Sequence, residues 1–286
     1  MCEALLSPLE VARSSATFDN VAVKEAPVAA AQHVMALINV VPGDWGDARV
    51  EDITAVLRSA TFELLRHVPG PFAPAIMVEQ TQQGYPETRP YRSPSGEFII
   101  ALAVQGRHWA QFSYQYSHEL CHLVSNHARQ LPHEERWFDE ALCETASLFV
   151  LRQMAQTWQD SPPYPNWREY APSLRSYADD AMSQPHRQLA PEISLADWYQ
   201  QHRGCLRKKP YWREGTQLAA NQLLATFESD PSAWHALRYL NQGGAEPRES
   251  FEAHLAAWRT ASPARLRLVV VRIGDLFGIA EKQITC

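Results

Sequence analysis

The sequence predicts an α+β fold, with a small N-terminal mixed sheet and one helix followed by a mainly helical part. Two observations carry this. Short β-compatible apolar runs fall almost entirely before residue 106, and beyond it apolar residues recur at the three-to-four spacing of helices. A third observation is length: 286 residues, 45% of them hydrophobic, are enough to bury a sizeable core.

Residues 1–30 show little periodicity and are read as an irregular leader. Residues 31–286 are read as one domain, with a sheet-containing lobe at 31–106 and a helical lobe at 107–286. The apolar stretch from Gln32 to Val41 reads as a first strand. Pro42-Gly43-Asp44 is a turn, after which Val50, Ile53, Val56, Leu57, Ala60, Leu64 and Leu65 mark one face of an amphipathic helix that ends before Pro69-Gly70-Pro71. A second strand is expected at Ala75 to Glu79 and a third at Phe98 to Val104, with the polar stretch Gln80 to Gly96 as the loop between them.

Helices are then expected at His108 to Ala128, Asp139 to Gln156, Ser173 to Met182, Ser194 to Gln201, Tyr211 to Phe227, Pro231 to Asn241, Arg248 to Thr260 and Pro263 to Phe277. The basic cluster from Arg203 to Arg213, interrupted by Gly204 and Pro210, reads as a solvated loop. The net charge of −6 is spread along the chain, which offers no footprint for nucleic acid. No apolar run approaches the roughly 20 residues of a membrane span. The five cysteines, Cys2, Cys121, Cys143, Cys205 and Cys286, form no CxxC pair and no even framework. They predict a reducing, cytoplasmic setting.

Chemistry concentrates at His118-Glu119-Leu120-Cys121-His122, an HExxH motif. On a helix, positions four apart share a face, so the imidazoles of His118 and His122 converge and can chelate zinc. Glu119 lies one residue further round, placed to act as a base on a water at that metal. Two histidines and a glutamate in a largely apolar stretch are costly to bury without a partner, which a metal would supply.

A catalytic zinc site needs a third protein ligand. A third histidine in an HExxHxxGxxH arrangement does not fit, because Ser125 and Ala128 stand where that pattern needs Gly and His, and His127 is one position early. Fifteen residues on from His122, however, the chain reads Trp137-Phe138-Asp139-Glu140-Ala141-Leu142-Cys143-Glu144, which puts Glu140 after seventeen intervening residues. HELCH followed by WFDEALCE resembles the gluzincin metallopeptidases, the thermolysin-like and M1-aminopeptidase-like proteins. The resemblance implies a zinc-peptidase subdomain in which Glu140 is the third ligand and Glu144, one turn on, orients a ligand histidine.

Lys209-Pro210-Tyr211-Trp212-Arg213-Glu214-Gly215 is similar to the P-Y-x-K-G element of the same enzymes, which implies that Tyr211 stabilises an oxyanion. It departs from that element by one residue of spacing and by Glu214 in place of lysine. His186, His202 and His235 are alternatives for the role. The G-x-M-E-N stretch that captures a substrate amino terminus has no counterpart between Phe98 and Gly106. By resemblance, the strand Phe98 to Val104 would form the lip of the cleft. The implied activity is zinc-dependent hydrolysis of a peptide or protein substrate, with Glu119 as general base. The alternative is a catalytically idle zinc-binding protein that uses the same fold as a scaffold.

Overall fold

The computed structural model describes residues 37–70, 74–126, 133–242 and 249–284. The leader, residues 32–36 of the first expected strand, His127, Ala128, Cys2 and Cys286 lie outside them. Four strands form one sheet: β1 (Leu37–Val40), β2 (Ala75–Gln80), β3 (Glu87–Arg92) and β4 (Phe98–Leu102), in the order β1-β2-β4-β3. β1 and β4 both run parallel to β2, and β3 is antiparallel to β4. The crossover from β1 to β2 is helix α1 (Val50–Leu65), whose apolar face is the one read from the sequence.

β3 corrects the reading of Gln80 to Gly96 as a loop. Its sequence is polar and holds Pro90, which cannot donate to a ladder and is tolerated on an edge strand. The pairing slips between Thr88 and Arg92, where that proline sits. A second correction follows. β4 is hydrogen-bonded on both sides, to β2 and to β3, so it is an interior strand and cannot be the lip of a cleft. Ile100, Ala101 and Leu102 are fully buried, which is why the run is continuously apolar.

Helix α2 (Trp109–Val124) packs against β4, β3 and α1, and carries HELCH. Gly106, with φ of +69°, makes the turn into it, and its N–H donates to the carbonyl of Trp45 at 2.9 Å. Helix α3 (Arg136–Asp160) packs on α1, α2, α4 (Ala171–Met182) and α6 (Arg213–Ser229). It is buried nearly all round, as a central helix must be. It starts earlier and ends later than Asp139 to Gln156, stopping only at Ser161-Pro162-Pro163.

Helix α5 (Leu195–Lys208) also outruns its expected end, so the basic residues up to Lys208 are helical rather than in a loop. Gly204 does not break it; that position faces open space and costs about 1 kcal/mol relative to Ala. Residues Pro231–Tyr239 form a 3-10 run instead of an α-helix. Helices α7 (Phe251–Ala261) and α8 (Arg267–Leu276) complete the chain.

One hydrophobic core runs through both parts of the chain. Its aromatic centre surrounds the start of α3, where Trp137 and Phe138 meet Phe251 and Phe277, with ring centroids between 4.9 and 6.1 Å apart. This packing fixes the helix turn that carries Glu140. Among the described residues, no helix is long and apolar enough to cross a membrane.

The core also carries a pH-sensitive element. His67 packs edge-on to Phe149 at 5.7 Å and its Nε2 accepts a hydrogen bond from Arg66. Burial, and then the Arg66 charge, lower its pKa from 6.5 to about 4. The unfolded chain takes up this proton near pH 6.5 and the folded one near 4, so stability is lost as pH falls through that window. His67→Gln is expected to flatten the dependence of the denaturation midpoint on pH between 6.5 and 4.

Candidate metal centre

The site is built from two helices that face each other. From α2 come His118, Glu119 and His122, and from the first two turns of α3 come Glu140, Cys143 and Glu144. The rings of His118 and His122, one turn apart, have centroids 5.0 Å apart. His118 Nε2 lies 3.2 Å from Glu140 Oε2, and His122 Nε2 lies 3.6 Å from Glu140 Oε1. In a tetrahedral zinc site with bonds of about 2.0–2.1 Å, neighbouring donor atoms are about 3.3 Å apart. Each Nε2 therefore lies at about ligand-to-ligand spacing from one oxygen of the Glu140 carboxylate.

The remaining ring nitrogens are also engaged from α3. His118 Nδ1 lies 3.8 Å from Glu144 Oε2, and His122 Nδ1 lies 3.3 Å from Cys143 Sγ. One imidazole is thus backed by a carboxylate and the other by a thiol, contacts of the kind that set tautomer and ring direction in metal sites. His118, His122 and Cys143 can also be grouped as three metal donors. The sulfur faces Nδ1 of His122, whereas Glu140 faces the Nε2 atoms of both rings. Glu140 thus spans both histidines. Burial pushes the Cys143 thiol well above its usual range, which disfavours the thiolate that ligation needs.

Electrostatics agree with a cation site. Burial lowers the pKa of His118, but hydrogen bonds to Glu140 and Glu144 outweigh it and hold the imidazole well above its ordinary value. The cluster of carboxylates therefore demands a positive charge, supplied by a proton on His118 or by a metal ion in its place. Glu119 is 4% exposed, and its Oε2 accepts a hydrogen bond from Thr88 Oγ1 of β3 at 2.9 Å. Burial raises its pKa, opposed by the adjacent His118 and by Thr88.

Behind Glu144 lies a buried network. Its Oε1 accepts hydrogen bonds from Tyr114 Oη and from Arg187 Nη2, and Arg187 also donates to Tyr114 Oη at 2.9 Å. Burial alone would raise the Glu144 carboxyl, yet the Arg187 guanidinium holds it far below the usual carboxylate range. Arg187 and Glu144 side chains are 4% and 7% exposed. Arg187→Met leaves that carboxylate buried without its counter-charge, which costs about 3–5 kcal/mol. Equilibrium urea unfolding is expected to show that loss, and adding Glu144→Gln to be less damaging than the sum of the two changes.

The other residues singled out from the sequence are dispersed. Tyr211 is 61% exposed, with the Arg136 guanidinium 5.2 Å from its ring. Burial raises its phenol, opposed by the Arg136 charge and reinforced by Glu140 and Asp139. Gln217, in the amide orientation that satisfies both ends, donates to His186 Nε2 at 2.8 Å and accepts from Arg187 at 2.9 Å. His186 thus joins the network behind Glu144. His202 stacks on Trp198 and Trp212, and His235 packs beside Tyr239.

Thr88, Cys143, Tyr114 and Arg187 are the residues that sequence reasoning passed over. Tyr114 stands four before His118 on the same helix, and Cys143 lies between two acids already noted, so both had a local signal. Thr88 and Arg187 had none. The chain matches no family model, no curated protein and no solved structure, so the geometry alone carries the assignment.

Proposed function

We propose that the protein is a zinc-dependent peptidase, hydrolysing peptide bonds at the centre between α2 and α3. The observation that carries this reading is the approach of both HELCH Nε2 atoms to the two oxygens of one carboxylate, at 3.2 and 3.6 Å, beside a buried glutamate that is not part of that set. Two imidazoles and one carboxylate form the donor set of catalytic zinc in peptidases. His118, His122 and Glu140 would hold the ion, and zinc bound there supplies Lewis acidity toward a carbonyl and a water.

The chain's own groups would do the rest. Glu119 takes a proton from the attacking water and returns it to the leaving amine. Its burial favours this by raising its proton affinity. Thr88 holds the carboxylate through Oε2, leaving Oε1 for the proton. Glu144 and Cys143 keep the two rings aimed at the ligand position. β3, the outermost strand beyond β4 and in contact with Glu119, offers an edge to which an extended peptide could add a strand. It takes over the lip role that β4 cannot fill. Tyr211 remains the residue proposed to meet the developing oxyanion.

A second reading, a zinc-bearing but idle scaffold, is favoured by one observation: Tyr211 is 61% exposed, its ring beneath Arg136 instead of hydrogen-bonded at the centre. A peptide-library digest read by mass spectrometry separates the two. Zinc-loaded protein is expected to produce cleavage that stops on chelation and returns with zinc. Full zinc loading without cleavage of any peptide would favour the scaffold.

A further inference from the structure

Away from α2, a second group of nitrogen and oxygen donors lies where the segment entering α3 meets the segment entering α7. His133, Glu249 and His254 each offer one donor atom, all within 4.8 Å of one another. The rings of His133 and His254 are stacked with their planes nearly parallel, 24° apart, and centroids separated by 5.0 Å. That separation equals the one between His118 and His122. It is also what two imidazoles on one tetrahedral ion show, about 5 Å, when each bond is about 2.0–2.1 Å.

Three features make this more than a packed pair. The rings are 4% and 3% exposed, so their nitrogens cannot turn to water. His254 has Nδ1 on the Glu249 carboxylate at 3.0 Å, while its buried Nε2 has no hydrogen-bond partner. A buried nitrogen left bare is costly unless something meets it. Finally, the donors come from separate elements that are already tied together. Arg207 pairs with Glu135 at 2.9 Å and donates to the carbonyl of Glu249 at 3.1 Å. The Glu135 N–H donates to His133 Nδ1 at 3.2 Å, so that nitrogen carries no proton, and an ion bound there would take the place of this hydrogen bond.

We propose that His133, Glu249 and His254 form a second metal site, for zinc or a similar borderline divalent cation, that clamps the entrance of α3 to the entrance of α7. Imidazole and carboxylate donors select ions of this class over calcium or magnesium, which prefer all-oxygen sets. The burial of both rings leaves no access for a substrate, so the role is to hold structure. Glu135 stands at the N-cap position of α3, and the Ser250 side chain caps α7 by accepting from the Ala253 N–H. An ion between them would fix the register of α3, the helix that carries Glu140, without taking part in the chemistry there.

The test is zinc stoichiometry by elemental mass spectrometry on chelator-stripped, zinc-reloaded and desalted full-length protein. Wild type, His122→Ala and His254→Gln are compared, with folding checked by circular dichroism. About two zinc ions per chain are expected in wild type and about one in each variant. Folded His254→Gln that retains as much zinc as wild type overturns the second site and leaves the first untouched. The reverse pattern, zinc lost in His254→Gln and unchanged in His122→Ala, supports the second site and counts against the peptidase centre. Should His254→Gln fail to fold, Glu249→Gln takes its place, with the second zinc expected to bind at least about tenfold more weakly. Unchanged affinity there overturns the inference.

Discussion

Glu119→Gln is expected to abolish peptide hydrolysis while leaving the zinc content of the protein unchanged. The substitution keeps the shape of the side chain and its contact with Thr88 Oγ1, which lies 2.9 Å from Oε2, but removes the carboxylate proposed to accept and return the proton. General acid–base transfer typically contributes 10²–10⁴-fold, so kcat should fall by at least about that factor. The metal should stay because Glu119 is outside the His118, His122 and Glu140 set, as the contacts of Glu140 with the two Nε2 atoms indicate. A variant that keeps its activity would remove Glu119 from the mechanism.

Glu140→Ala should have the second large effect, on the metal itself. It removes the carboxylate that faces both imidazoles, leaving two donors where a catalytic zinc takes three. The zinc held between α2 and α3 should no longer survive desalting, so that the variant carries about one zinc per chain fewer than wild type. Glu144→Ala should be milder toward the metal, because of the two histidines that carboxylate faces His118, through Nδ1 at 3.8 Å, and neither Nε2. Loss of such an orienting contact weakens a metal typically by about 10–100-fold. The two variants can be ranked by competition with a zinc chelator; a stronger effect at Glu144 would transfer the ligand role.

How much of this was legible in the sequence depends on distance along the chain. HELCH fixes two imidazoles on one face through local spacing alone, and Glu140 and Glu144 share a helix turn in the same way. The aromatic pair Trp137 and Phe138, at 0% exposure, anchors that turn in the core, so a local motif became a fixed position. By contrast, Thr88 meets Glu119 across 31 residues and Arg187 meets Glu144 across 43. No spacing rule links such pairs, because they depend on how the sheet and the helices pack. β3 was illegible for another reason: a short, polar, proline-bearing edge strand lacks the apolar alternation that identifies a strand. The ends of α3 and α5 were misjudged because acidic, basic and glycine residues that look like loop also serve on exposed helix turns.

The most direct test of the zinc centre compares the metal content of wild type with that of His122→Ala, by elemental mass spectrometry on protein purified without added metal and again after reloading. The account predicts that folded His122→Ala carries one zinc per chain fewer than wild type. Well-folded wild type that, even after zinc is restored, binds no more zinc than His122→Ala would contradict it.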